Sequence, residues 1–410
     1  MEHKRLNVLL IEDNDADALL IREYLHESNG TRIHLERKET LADGLKELAA
    51  TPPDITLLDM TLPDSAGADT FKRAHEAAPH IPFIVLTHLN DEEMALQMVH
   101  SGAQDYLVKG DVDAHLLIRA IRYAIERKKL GEKLTRYAEQ LHERNAQLTD
   151  DLDMAREVQQ ALLPQTYPEI PPPRMAASMG RLRFDHRYRP SAAVGGDFFN
   201  VDAVSETCAG VFVCDVMGHG MRGALVTAII RGLLEKLRPY SQKPSAFLTE
   251  VNRSLAGIFR RTDRLMFASA LYVVVDIENG IMKYANAGHP GPVLVNRRSG
   301  HTEHMSRRGT DSGPALGLFS DAVYGEAEHE LRENDLFLLY TDGLYEAVNQ
   351  EGEEFSQERL MQSVRRHMAV PPGKILDGII GDVETFAGQE TFEDDICLLS
   401  VAFDAPSGGA

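Results

Sequence analysis

Four acidic motifs in the second half of the chain sit where an apolar, strand-like run meets a tight turn. They are Val194-Gly195-Gly196-Asp197, Asp215-Val216-Met217-Gly218-His219-Gly220, Thr341-Asp342-Gly343 and Asp394-Asp395-Ile396. A fold can gather carboxylates at strand ends on one sheet rim, and oxygen ligands of this kind suit Mg2+ or Mn2+ better than zinc. Gly195 and Gly196 let the backbone bend before Asp197, and Gly218 and Gly220 permit close approach to ions or phosphate. Any one of these motifs is also an ordinary turn sequence. Their joint occurrence with Ala285-Asn286-Ala287-Gly288-His289-Pro290 is what points to a shared centre.

A second set of polar residues ends successive apolar runs near the front of the chain: Glu12 and Asp13, then Asp59, Thr87 and Lys109. On a doubly wound sheet all five would converge on one crevice. Three carboxylates beside one ammonium call for a divalent cation. Asp59 could then act as a nucleophile towards a phosphoryl group. Lys109 would pair with the added charge and Thr87 would donate a hydrogen bond to it.

The elements that must hold these residues follow from periodicity. Over residues 6–127, short apolar runs such as Val8–Ile11, Ile55–Leu58, Phe83–Leu86 and Asp105–Val108 alternate with amphipathic segments. That alternation predicts a parallel, doubly wound sheet. From about 116 to 163 the texture becomes charged, with Leu130, Leu134, Tyr137 and Leu141 in a 4-3-4 spacing. Leu148, Leu152, Ala155, Gln159 and Leu162 resume it after a stutter at Asn145. The pattern predicts a long dimerising coiled-coil helix with Gly131 as its weak point, ending at Pro164, with a surface helix packed on one domain as the alternative. Pro168 to Pro173 reads as a stiff, extended connector. Residues 175–404 are rich in alternating strands with helices between them, which favours an α/β sandwich. The expected organisation is α/β throughout, with a first domain at 1–127, a helical linker at 128–174, a second domain at 175–404 and a disordered tail at 405–410.

At 410 residues and with ordinary apolar content, the chain can build two or three cores. A formal net charge of -20 opposes binding to nucleic acid or an anionic membrane. The sequence has no transmembrane or signal-peptide pattern, and Cys208, Cys214 and Cys397 have neither disulfide-framework nor zinc spacing. A cytoplasmic protein is expected.

Residues 6–127 resemble a receiver domain of a two-component response regulator. The resemblance is carried by Leu10-Ile11-Glu12-Asp13-Asn14, Leu57-Leu58-Asp59-Met60-Thr61-Leu62-Pro63-Asp64 and Tyr106-Leu107-Val108-Lys109-Gly110. It implies phosphotransfer from a cognate histidine kinase to Asp59. It also implies one Mg2+ held by Asp13, Asp59 and the backbone carbonyl of Thr61 within the Glu12 cluster. Thr87, Lys109 and Tyr106 would form the switch, with Tyr106 changing orientation on activation. His88 stands where a small residue is common.

Residues 175–404 resemble the metal-dependent PPM (PP2C-like) serine/threonine phosphatases, in the bacterial subgroup of sporulation and stress-response phosphatases. Ala155-Arg156-Glu157-Val158-Gln159-Gln160-Ala161-Leu162-Leu163-Pro164 resembles that subgroup's linker helix. The resemblance implies a β-sandwich flanked by helices and two or more Mn2+ or Mg2+ ions. Asp215 would bridge two ions with the carbonyl of Val216 on one of them. Asp342 and Asp394 would hold the other, Asp197 would bind directly or through water, and Asp395 would support. Asn200 and Cys397 depart from the common Asp and Thr. His219 and His289 are candidate proton donors or phosphate neighbours, with a structural turn role as the alternative. The implied protein is a response regulator whose output is dephosphorylation of a phosphoserine or phosphothreonine protein. By analogy with this subgroup that substrate would be a STAS-type anti-sigma-factor antagonist, and the heptad spacing adds the expectation of a homodimer through the linker helix. A catalytically weak module of the same fold that sequesters a partner is the competing reading.

Overall fold

Runs of β-branched and leucine residues form five strands, Leu6–Ile11, Ile33–Lys38, Ile55–Asp59, Phe83–Thr87 and Asp105–Val108. Their spatial order is second, first, third, fourth, fifth, and every neighbouring pair is parallel. The order reverses beside the first strand, which opens a crevice at the carboxyl ends. Successive side chains point to opposite faces, so the sheet serves two cores. Leu9, Ile11, Leu58 and Val85 pack with Leu41, Leu48 and Phe71. Val8, Leu10, Leu57 and Ile84 pack with Ile21, Leu25, Leu117 and Ile121.

The computed structural model describes residues 5–27, 32–88, 97–218, 220–262, 265–305, 312–388 and 392–405. The chain divides into two units, Met1–Ala146 and Gln147–Ala410. A helix of 49 residues, Ala114–Leu162, begins in the first unit and ends in the second. The expected boundary at 127 falls inside it, because the helix that closes the first core continues unbroken. It passes through Gly131, around which no atom lies within 4 Å of an added Cβ. Leu130, Leu134, Tyr137, Leu141 and Leu148 are exposed along it. After the helix, Leu163 and Ile170 enter the second unit's core, and a short helix starts at Pro173.

The second unit stacks two mainly antiparallel sheets. One carries Phe198–Ala203, Cys208–Val216, Ala268–Asp276 and Ile281–Ala287, with Ala327–Glu330 and Ser312–Gly313 at its far side. The other carries Arg181–Arg189, Ile396–Asp404, Asp335–Tyr340, Val293–Asn296 and His301–His304. Period-two alternation divides the work within the second sheet. Phe337, Leu339, Cys397 and Leu399 face the first sheet, packing with Phe199, Val211 and Val213. Leu336, Leu338, Tyr340 and Leu398 turn the other way, against Leu360, Val364, Ile375 and Ile379. The latter belong to helices Ser356–His367 and Pro372–Ala387. Helices Met221–Lys236 and Pro244–Phe259 supply Ile230, Leu234, Leu248 and Val251 to the first sheet's core.

No helix among the described residues is long and apolar enough to cross a membrane. The expected disordered tail lies, apart from Ala405, outside the described residues.

Candidate functional site

Glu12, Asp13 and Asp59 bring ligand oxygens within 4.8 Å of one another at the carboxyl ends of the parallel strands. Lys109 reaches into this group. Its Nζ lies 2.6 Å from Glu12 Oε2, 2.9 Å from Asp59 Oδ2 and 3.0 Å from Asp17 Oδ2. Burial alone would pull the ammonium down, yet its bonds to Glu12 and Asp59 hold it above its ordinary value. Burial likewise pushes Glu12 upward despite Lys109. Asp59 Oδ1 is buried without a hydrogen-bond partner, so the donor set has room for a hard cation. Thr87 is buried at the end of the fourth strand, and its carbonyl accepts from Lys109 N at 2.8 Å. Tyr106 is half-buried and Thr61 exposed. Asp17 was not anticipated. The signal was its place four residues after Asp13, in a first helical turn capped by Asn14.

In the second unit, four strand ends from two sheets supply the acidic residues. Asp215 ends Cys208–Val216 opposite Ser269, and Asp197 precedes Phe198–Ala203. Asp342 follows Asp335–Tyr340 and caps helix Gly343–Glu346, its Oδ1 accepting from Gly343 N at 3.1 Å. Asp394 and Asp395 lead into Ile396–Asp404. A cleft of about 340 Å³ is lined by residues that include Gly196, Asp215, Val216, Gly218, Glu346 and Asp394. No lysine or arginine is among its described lining residues.

Asp197 stands behind this wall, buried, with Oδ2 accepting from Thr341 Oγ1 at 2.6 Å. Asp395 is a brace: Oδ1 accepts from Ser191 N at 2.7 Å, and Oδ2 from Gly196 N at 2.5 Å. An added Cβ on Gly196 would stand 2.7 Å from the Val216 carbonyl oxygen and 3.1 Å from that of Gly218, which is why glycine is needed there. Among the described residues, no three carboxylates of this unit approach within 4.8 Å as the front group does.

Negative charge accumulates in the cleft. Burial, then the carboxylates of Asp342, Asp394, Asp395 and Glu346, push Asp215 up to about 7. Burial and Asp215 hold Asp197 well above the usual range. Glu346, absent from the sequence-based set, is raised by burial and by Asp342. Its signal was the four-residue step from Asp342 on one helical face. Such a cleft repels phosphate unless cations intervene, and its all-oxygen donors fit Mg2+ or Mn2+.

Two candidate residues stand apart from this chemistry. His289 is buried, its Nδ1 is 2.7 Å from Ser269 Oγ, and burial lowers its pKa to about 3. Its Nε2 is buried without a hydrogen-bond partner among the described residues. Asn200 Nδ2 donates to Asp202 beside Phe247 and Tyr272, and Asn200 does not line the cleft. His219 lies outside the described residues.

Residues 8–122 match the family model described as response regulator receiver domain, and residues 205–404 that of stage II sporulation protein E (SpoIIE). The chain is 28% identical over 252 residues to phosphoserine phosphatase RsbP of Bacillus subtilis (strain 168), covering 61% of this chain and 57% of RsbP. It is 22% identical over 222 residues to phosphoserine phosphatase RsbU of the same organism, covering 54% and 61%. Over 122 residues it is 34% identical to the KDP operon transcriptional regulatory protein KdpE of Escherichia coli (strain K12), covering 29% and 52%. The chain thus spans less than two thirds of each relative's length. The SiaA-PP2C domain of Pseudomonas aeruginosa shares the fold, with a TM-score of 0.53 at 23% identity over 63% of this chain and 98% of that one.

Proposed function

We propose that this chain, in which a response-regulator receiver domain precedes a SpoIIE-type PP2C-like domain, is a response regulator with a metal-dependent protein phosphatase as its output. The observation that carries the reading is the acidic cleft bordered by four strand-end motifs, with no lysine or arginine among its described lining residues. Asp215, the Val216 carbonyl, Asp342 and Asp394 would hold two or more Mn2+ or Mg2+ ions. Asp197, fixed by Thr341, would act directly or through water. Such ions, when bound, supply Lewis acidity towards water and offset the charge of the phosphate. The protein's own part is to gather Asp215 among carboxylates whose charge only a cation relieves, place the Gly195–Asp197 loop beside the cleft and present Glu346 in its lining.

In the receiver, Glu12, Asp13, Asp59 and the Thr61 carbonyl would hold one Mg2+. Asp59 would take the phosphoryl group from the histidine of a cognate kinase, with the phosphorus–nitrogen bond breaking as the phosphorus–oxygen bond forms. Lys109 would then neutralise the added charge, and Thr87 and Tyr106 would respond to it. The domain division at 1–127, 128–174 and 175–404, the cytoplasmic location and pairing through the linker helix belong to the same reading.

The substrate class is a phosphoserine or phosphothreonine protein, supported by the names of RsbP and RsbU. Resemblance to the stress-response subgroup narrows it to a phosphorylated STAS-type anti-sigma-factor antagonist. The test is phosphate release from such a phosphoprotein with and without Mn2+. Asp215→Ala is expected to lower turnover by about 100-fold or more, the scale of losing one group that stabilises transition-state charge. Full activity in that variant refutes the site.

A further inference from the structure

Lys109 brings one positive charge to three carboxylates. Glu12 Oε2, Asp59 Oδ2 and Asp17 Oδ2 lie 2.6, 2.9 and 3.0 Å from its Nζ. Glu12 and Asp59 belong to the donor set that fits a cation, whereas Asp17 stands on the first turn of helix Asp15–His26. The side chains of Glu12 and Asp59 are 0% and 4% exposed, and that of Asp17 is 27% exposed.

Asp15 offers a comparison within the same turn. Its Oδ1 lies 2.7 Å from Arg37 Nη1, and its side chain is 92% exposed. Arg37 also donates to the carbonyls of Glu12 and Asp13, at 2.9 Å each. Two aspartates thus carry the same charge on one turn, but Asp15 is paired on the outside and Asp17 with the buried ammonium.

Two events at this site make opposite demands on Lys109. A divalent cation among Glu12, Asp13 and Asp59 repels the ammonium from the oxygens that the cation takes. A phosphoryl group on Asp59 then adds negative charge and draws the ammonium back. Of the three carboxylates on Nζ, Asp17 is the one outside the cation's donor set. It can hold Lys109 during the first event, and it competes for Lys109 in the second.

We infer that Asp17 is a positioning residue of the receiver, which seats Lys109 clear of Asp59 as the cation enters and withholds it from the phosphoryl group. Asp17 thereby favours Mg2+ and opposes phosphorylation, and so sets how much phosphoryl donor the receiver needs. The inference rests on the reading of Asp59 as phosphoacceptor and adds a regulating residue to it.

The test uses the full chain and its variants Asp17→Asn, Asp17→Glu and Asp15→Asn, with folding checked by circular dichroism. Mg2+ binding at the receiver is followed by the methyl NMR signal of Ile11, which precedes Glu12. Beryllofluoride, a phosphoryl mimic, is titrated at saturating Mg2+ and followed by fluorine NMR, with Asp59→Asn identifying the receiver signal. Asp17→Asn is expected to weaken Mg2+ binding and to tighten beryllofluoride binding, each about fivefold. Asp17→Glu should return both towards wild type, and Asp15→Asn should leave both near it. A purely structural defect weakens both ligands together, and that result overturns the inference. Equal shifts in Asp15→Asn overturn it too, because they assign the effect to the charge of the turn. A wild-type chain without an Asp59-dependent beryllofluoride signal refutes the phosphoacceptor reading. The Mg2+ shift in Asp17→Asn, and its rescue by Asp17→Glu, then still decide whether Asp17 seats Lys109.

Discussion

Asp215 is where burial and like charge converge on one carboxyl. It titrates near 3.8 in the unfolded chain and at about 7 in the fold. The folded state therefore binds the proton more tightly. In the metal-free protein this contribution to stability is fully present below about pH 4 and is lost as pH rises through about 7. Thermal melting without metal is accordingly expected to fall between about pH 5 and 8. Mn2+ should reverse the trend, because it favours the ionised carboxylate and displaces its proton. Apparent Mn2+ affinity should thus rise over the same interval. A pH-independent affinity would remove Asp215 from the ligand set.

The long helix is the element that reaches both units. Leu117 and Ile121 complete the receiver core, and Gln159 joins the second unit's loop. Between them Gly131 leaves a position where an added methyl group meets nothing within 4 Å. Glycine costs about 1 kcal/mol relative to alanine inside a helix. Gly131→Ala is expected to slow amide exchange across 125–140 by a factor on the order of five, as that energy implies. Unchanged exchange would show that the helix is held at Gly131 by something beyond its own propensity.

For the whole molecule, phosphorylation of Asp59 is expected to change turnover through the helix. Coupling between two sites is typically about 5- to 150-fold. Acetyl phosphate should alter phosphatase turnover in the wild-type chain and leave Asp59→Asn unchanged, and sedimentation in the same samples should report a dimer. Equal turnover with and without acetyl phosphate refutes the coupling. A monomer under both conditions refutes pairing through Leu130, Leu134, Tyr137 and Leu141.

Much of this was legible without coordinates. Period-two and 3.6-residue patterns are local, so they placed the parallel sheet, the long helix and the acidic residues at strand ends. What tertiary structure decided depends on partners far along the chain. Gly196 finds Asp395 at 199 residues' separation, Asp197 finds Thr341 at 144, and Gln159 finds Gly195 at 36. No local period encodes those meetings. The heptad spacing that places Gln159 on a seam is the same whether the seam faces another helix or its own domain. Only burial distinguished the two. Burial also lowered the pKa of His289 and raised that of Asp215, because desolvation is set by the packing of several elements at once.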